Sequence, residues 1–198
     1  LTKKHIKISV ENSLKALQRD YVDTLLLHRP DFLIDPHDIA DAFTELKKEG
    51  KVNHFGVSNF STSQFDLLHT IFPLKTHQVE ISLLNREVFE NGILDQCQKL
   101  GIRPSGWSPM GGGVLLQKSN DERILEIQRK ISTLCKKYKA DADQVLLAWI
   151  RKHPAGITPV LGTSKLSRIK KACDSLEIKL THEDWYLLWQ ASSGEDVA

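Results

Sequence analysis

Short apolar runs alternate along this chain with longer stretches whose apolar positions recur every three or four residues, the two periods that separate strands from amphipathic helices. Ile6, Val10, Leu14 and Leu17 keep helical spacing, with Thr2 before them as a cap. Val22-Asp23-Thr24-Leu25-Leu26-Leu27 is a compact strand signal that ends at His28-Arg29-Pro30-Asp31. Asp35-Pro36 opens the next helix with proline at its first position; Ile39, Ala42, Phe43 and Leu46 give its buried face, and Gly50 stops it. A second strand is predicted over 52–59, and Ser61 caps a helix through Phe65, Leu68 and Ile71. Further strands are predicted over 77–82 and 103–109, with a helix over 91–100 between them. After Gly111-Gly112-Gly113 come helices over 121–138 and 141–153, a fifth strand over 158–162, and closing helices over 165–175 and 183–191.

Strands that alternate with helices of this length imply βαβ units and a parallel sheet, and fully apolar strands such as Leu25-Leu26-Leu27 fit a sheet covered on both faces. A doubly wound sheet and a (β/α)8 TIM barrel are both open at this point. Polar residues stand where each strand gives way to its loop: His28, Ser58-Asn59, Glu80 and Ser82, Trp107-Ser108, and Gly162-Thr163-Ser164. In a barrel those ends converge on the face that builds the site. A dinucleotide-binding Rossmann unit would instead carry G-x-G-x-x-G after its first strand, and the triple glycine here follows a late strand without that spacing. The pattern favours the barrel.

Composition narrows the class of protein. With 198 residues, 40% hydrophobic and 26% charged, the chain suits one soluble domain over 1–198. A formal charge of +2 says little about partners, and the densest basic run, Arg168-Ile169-Lys170-Lys171, reads as a solvated helix face. No aromatic-basic motif supports a nucleic-acid partner. Cys97, Cys135 and Cys173 are odd in number and far apart, which argues against a disulfide framework or a metal site. No signal peptide is evident, and no apolar run approaches the roughly 20 residues that span a bilayer, so no membrane partner and a cytoplasmic location are expected. Leu1 is not a methionine and the chain opens straight into a helical pattern, which suggests a fragment.

Several strand ends carry family wording. Asp23-Thr24-Leu25-Leu26-Leu27-His28-Arg29-Pro30 resembles the aldo-keto reductase segment that ends in the catalytic histidine. Gly50-Lys51-Val52-Asn53-His54-Phe55-Gly56-Val57-Ser58-Asn59-Phe60 resembles that family's G-K-x-R-x-x-G-V-S-N-F signature, and Gln78-Val79-Glu80 its N/H-Q-x-E strand. Gly106-Trp107-Ser108-Pro109-Met110-Gly111-Gly112-Gly113 is similar to its Y/W-S-P-L-G-x-G segment. Pro159-Val160-Leu161-Gly162-Thr163-Ser164-Lys165-Leu166-Ser167-Arg168-Ile169 is similar to its last strand and phosphate-binding turn. Order and spacing agree from Lys4 to Trp189, with a particular likeness to the bacterial YdhF-type oxidoreductases. The resemblance implies a (β/α)8 barrel that reduces aldehydes and ketones with NADP(H), without metal. Of the family's Asp, Tyr, Lys and His tetrad only His28 has a counterpart here; Tyr21, Tyr138 and Tyr186 match nothing catalytic. Five strands against the eight of a closed barrel lead to the expectation of a C-terminal part that lacks the first three strands, and of an unstable or self-associating chain.

Each matching residue has a chemistry and an ordinary alternative. Hydride transfer builds negative charge on a carbonyl oxygen, and a neutral imidazole at His28 can orient that oxygen or help protonate it; otherwise His28 is a buried histidine bonded to backbone. Ser58, Asn59 and Gln78 can pair with an amide, which the resemblance identifies as the nicotinamide carboxamide; otherwise Asn59 is a cap or turn residue. Trp107 offers a stacking surface for nicotinamide, or is core. Ser108, Pro109, Met110, Gly111, Gly112 and Gly113 form a strap where bare backbone approaches a pyrophosphate, or a plain turn. Gly162, Thr163, Ser164 and Lys165 open a helix whose free amides bind anions. Lys165 and Arg168, one turn apart on one face, suit the 2′-phosphate that distinguishes NADP from NAD, or are solvated charges. Beside a reductase of small carbonyl substrates stand two other readings: an NADP(H)-binding regulatory subunit or pseudoenzyme, and an inactive truncated product.

Overall fold

The computed structural model describes residues 1–196. They divide into two compact units, one of residues 1–79 and 95–103 and the other of the remaining described residues.

In the first unit, helix α1 (Lys3–Leu17) begins at Thr2, whose side chain accepts the His5 N–H, and buries Ile6, Val10 and Leu14. Leu17 lies in the last turn, where the chain leaves through a left-handed Gln18, and it is exposed, against expectation. Strand β1 (Val22–Leu27) leads to helix α2 (Pro36–Lys48), capped by Asp35. Ile39, Ala42, Phe43 and Leu46 of α2 are fully buried. Strand β2 (Val52–Ser58) and helix α3 (Thr62–His69) follow, the helix entered through a capping box of Ser61 and Gln64. Ile71 falls beyond the end of α3 and is partly exposed, so it is not on the buried face that its spacing predicts. Strand β3 (Thr76–Glu80) ends at the edge of the second unit, and helix α4 (Ile93–Leu100) enters the first unit at Asp95.

β1, β2 and β3 are parallel, with Leu27 beside Val57 and Ser58 beside Gln78. That register brings the polar ends of β2 and β3 together. Gly56 is required by it, because a Cβ there would stand 2.4 Å from the Thr76 carbonyl oxygen. Phe43 stacks on Phe55 at 4.2 Å and both meet Phe72 edge-on. Phe43 and Phe55 are fully buried, and each contributes roughly 1.5–3 kcal/mol. Leu25 and Leu26 are only half-buried: β1 pairs with β2 on one side and, among the described residues, with no strand on the other.

In the second unit, strand β4 (Ser105–Trp107) pairs in parallel with strand β5 (Thr158–Pro159). Both are shorter than expected. Ser108 turns left-handed at φ 57° and ends β4, and the Val160 N–H donates to the Gly106 carbonyl at 2.7 Å as the chain leaves β5. Helices α5 (Glu122–Tyr138), α6 (Ala142–Arg151), α7 (Leu166–Asp174) and α8 (His182–Ser193) complete the unit. Ile127, Ile131 and Leu134 of α5, all of α6 from Val145 to Ile150, and Leu188 of α8 form its core. Trp149 and Trp185 stack at 5.1 Å, and each indole N–H donates to the other residue's backbone carbonyl. Trp189 continues the stack at 5.3 Å. Asp184, almost fully buried, accepts hydrogen bonds from Lys137 and Tyr138. No described helix is long and apolar enough to cross a membrane.

Candidate active site

The first unit presents its polar residues at the C-terminal ends of its strands. His28 follows the buried Leu27 at the end of β1 and is exposed, not buried against backbone. Beyond it Asp31 folds the loop back on itself, its carboxylate accepting the Leu33 N–H at 3.0 Å and its carbonyl the Ile34 N–H at 3.2 Å. Ser58 is buried at the end of β2 and accepts a hydrogen bond from the Asn59 carboxamide at 2.8 Å. Asn59 takes a left-handed conformation at φ 58°, one that asparagine adopts more readily than most residues, and its N–H donates to the Gln78 carbonyl at 2.9 Å. Ser58, Asn59 and Gln78 therefore form one polar group, held by the β2–β3 register.

Beside Gln78, His77 points into the core against Phe65, with ring centroids 5.3 Å apart. Neither ring nitrogen has a hydrogen bond of good geometry. Burial pushes its pKa down to about 4, the nearby Phe60 carbonyl opposing the shift.

The second unit holds a cleft of about 930 Å³. Part of its lining is Ser108, Pro109, Met110, Gly112 and Gly113. The strap is folded by its own hydrogen bonds: the Gly112 N–H donates to Ser108 Oγ at 2.9 Å, and the Gly111 N–H to the Ser108 carbonyl at 2.8 Å. Gly111, Gly112 and Gly113 have φ of 57°, 66° and 90°, so three successive residues use a conformation that side chains disfavour. Trp107 and Gly111 stand just outside the lining; the Trp107 carbonyl accepts the Ile81 N–H at 3.1 Å.

Gly162, Thr163 and Arg168 also line the cleft. Lys165 is the N-cap of α7 with extended backbone, three residues before Arg168, and neither it nor Ser164 is in the lining. The cation that joins Arg168 there is Lys171, three residues on. Its ammonium bonds Asp141 at 2.7 Å and Asp143 at 2.9 Å, and the Asp141 bond foremost raises the Lys171 pKa. Arg168 and Lys170 are exposed, whereas Lys171 of the same run is half-buried and paired with two carboxylates. Asp141, Asp143 and Lys171 were not singled out from sequence; the Asp-Ala-Asp at the start of a helix was the available signal.

The aldo/keto reductase family model matches residues 1–192. The chain is 40% identical to the oxidoreductase YdhF of Escherichia coli, over 98% of this chain and 65% of that protein. It is 41% identical to a 6-dehydroglucose reductase of Agrobacterium fabrum, again over 98% of this chain and 65% of that protein. A thermostable aldo-keto reductase solved with the inhibitor epalrestat overlays it with a TM-score of 0.86 at 26% identity, over 96% of this chain and 67% of that one. The chain therefore belongs to the aldo/keto reductase family, and its α/β fold with parallel strands is that of these barrel reductases. It spans 65% of the length of those curated relatives. These shares give no support to reading the chain as a C-terminal part in particular, and that expectation is dropped.

Proposed function

We propose that the protein is an NADP(H)-dependent oxidoreductase that converts small aldehydes and ketones to alcohols. The observation that carries the reading is the cleft of the second unit. Gly112 and Gly113, both at positive φ, turn bare backbone along it, and Arg168 stands in its lining on the first turn of α7. Backbone without side chains, a helix N-terminus and a guanidinium suit a phosphorylated dinucleotide. The cofactor, when bound, supplies a hydride to the carbonyl carbon.

The first unit's residues have separate tasks in this reading. Ser58, Asn59 and Gln78 bind the nicotinamide carboxamide through their fixed amide and hydroxyl groups. His28, exposed at the end of β1, offers a ring N–H to the carbonyl oxygen as that oxygen gains charge. The proton that completes the alcohol comes from water and goes to the same oxygen.

Titration of the full chain with NADPH and with NADH, followed by cofactor fluorescence, tests the binding step. Arg168→Ala is expected to weaken NADPH about tenfold and NADH little, the size of one lost charge-assisted bond. Turnover is then measured on small aldehydes, ketones and aldehyde-bearing sugars, the last because one relative is named a 6-dehydroglucose reductase. His28→Ala is expected to lower kcat/KM by about 100-fold. NADPH binding without turnover of any of them would favour a regulatory subunit; no binding by the folded chain would defeat the proposal.

A further inference from the structure

The two cations of the cleft are not equivalent. Lys171 is held by Asp141 and Asp143, whereas Arg168, among the described residues, forms no ion pair. The Lys171 backbone is gripped as well, its carbonyl accepting the Gln144 side-chain N–H at 3.0 Å. Arg168 and Lys171 against Asp141 and Asp143 leave this part of the lining with no net formal charge.

We propose that Asp141 and Asp143 are positioning residues that set how strongly the cleft prefers a ligand carrying an additional phosphate, by keeping Lys171 engaged and leaving Arg168 to read that phosphate. The inference rests on the reading of this cleft as the seat of the phosphorylated end of NADP(H). A cation already bonded to two carboxylates contributes little attraction to a third anion. Freed of them, it stands one helical turn from Arg168, and the two can act on one phosphate.

The test uses the full chain and two probes that need only this cleft, adenosine 2′,5′-bisphosphate and adenosine 5′-monophosphate, with affinities measured by calorimetry at low and moderate salt. Asp141→Asn with Asp143→Asn removes both charges and retains asparagine, a good helix N-cap, at the start of α6. The preference for the bisphosphate is expected to rise about fivefold in this variant, most at low salt. Lys171→Gln leaves two uncompensated carboxylates in the lining, and there the preference is expected to fall. Arg168→Ala is expected to reduce the preference in every background.

A tie that merely holds α7 in place would move both variants in the same direction and both probes together, and that result overturns the inference. If the signs are opposite as expected but the protein reduces no carbonyl with NADPH, the oxidoreductase reading falls and this one stands. If the bisphosphate does not bind the natural chain, both fall.

Discussion

Acid should destabilise the first unit through His77, and the size of the effect follows from its surroundings. Its ring is buried against Phe65, lacks a well-formed hydrogen bond on either nitrogen, and has a pKa near 4 against an ordinary 6.5. The folded state thus resists the proton and the unfolded state takes it. Stability is present above pH 6.5 and is lost as pH falls towards 4. The full loss is roughly 3 kcal/mol, and about half of it falls between pH 7 and pH 5. Denaturant unfolding across that range, followed by far-ultraviolet circular dichroism, measures it. His77→Leu removes the titration at similar volume and should flatten the curve by that amount, at little cost near neutrality because an unpaired polar ring is replaced by an apolar side chain. Parallel pH curves for the natural and variant proteins would refute the reasoning.

Two further outcomes follow from packing. Gly56→Ala would drive a Cβ to 2.4 Å from the Thr76 carbonyl oxygen, a backbone atom that cannot swing aside, and should cost about 1–3 kcal/mol in a thermal or denaturant melt. Unchanged stability would mean that β2 and β3 can part at no cost. Of the cysteines, Cys173 is exposed while Cys97 is buried with its thiol pushed up to about 11 by burial. Brief alkylation followed by peptide mapping should therefore label Cys173 far ahead of Cys97, and equal labelling would contradict the burial.

What could be read from sequence was whatever short-range pattern controls. The span of β1, the buried face of α2 and the caps at Thr2, Asp35 and Ser61 all depend on residues within a turn or two, and the fold follows them. The polar strand ends were legible for the same reason, and Ser58, Asn59 and Gln78 do come together. What sequence did not show depends on distant partners or on a single dihedral. The left-handed Ser108 cuts β4 short, and nothing local to Leu25 or Leu26 reveals how far β1 is covered. The link from Lys171 to Asp141 joins residues on different helices, so a basic run that looks uniform contains one cation already committed.

The tryptophan stack decides what light can report about this protein. All four tryptophans, Trp107, Trp149, Trp185 and Trp189, belong to the second unit, and three of them share one cluster. Intrinsic indole emission therefore originates wholly from residues of the second unit, three of them in its helical core, and from none of the first unit, where His77 and Gly56 lie. Near-parallel rings at 5.1 Å also couple their excited states, which gives the near-ultraviolet dichroism a signature of α6 against α8. Emission and far-ultraviolet dichroism recorded on one sample become a two-colour measurement: coincident transitions mean the units unfold as one, and separated transitions give each its own stability.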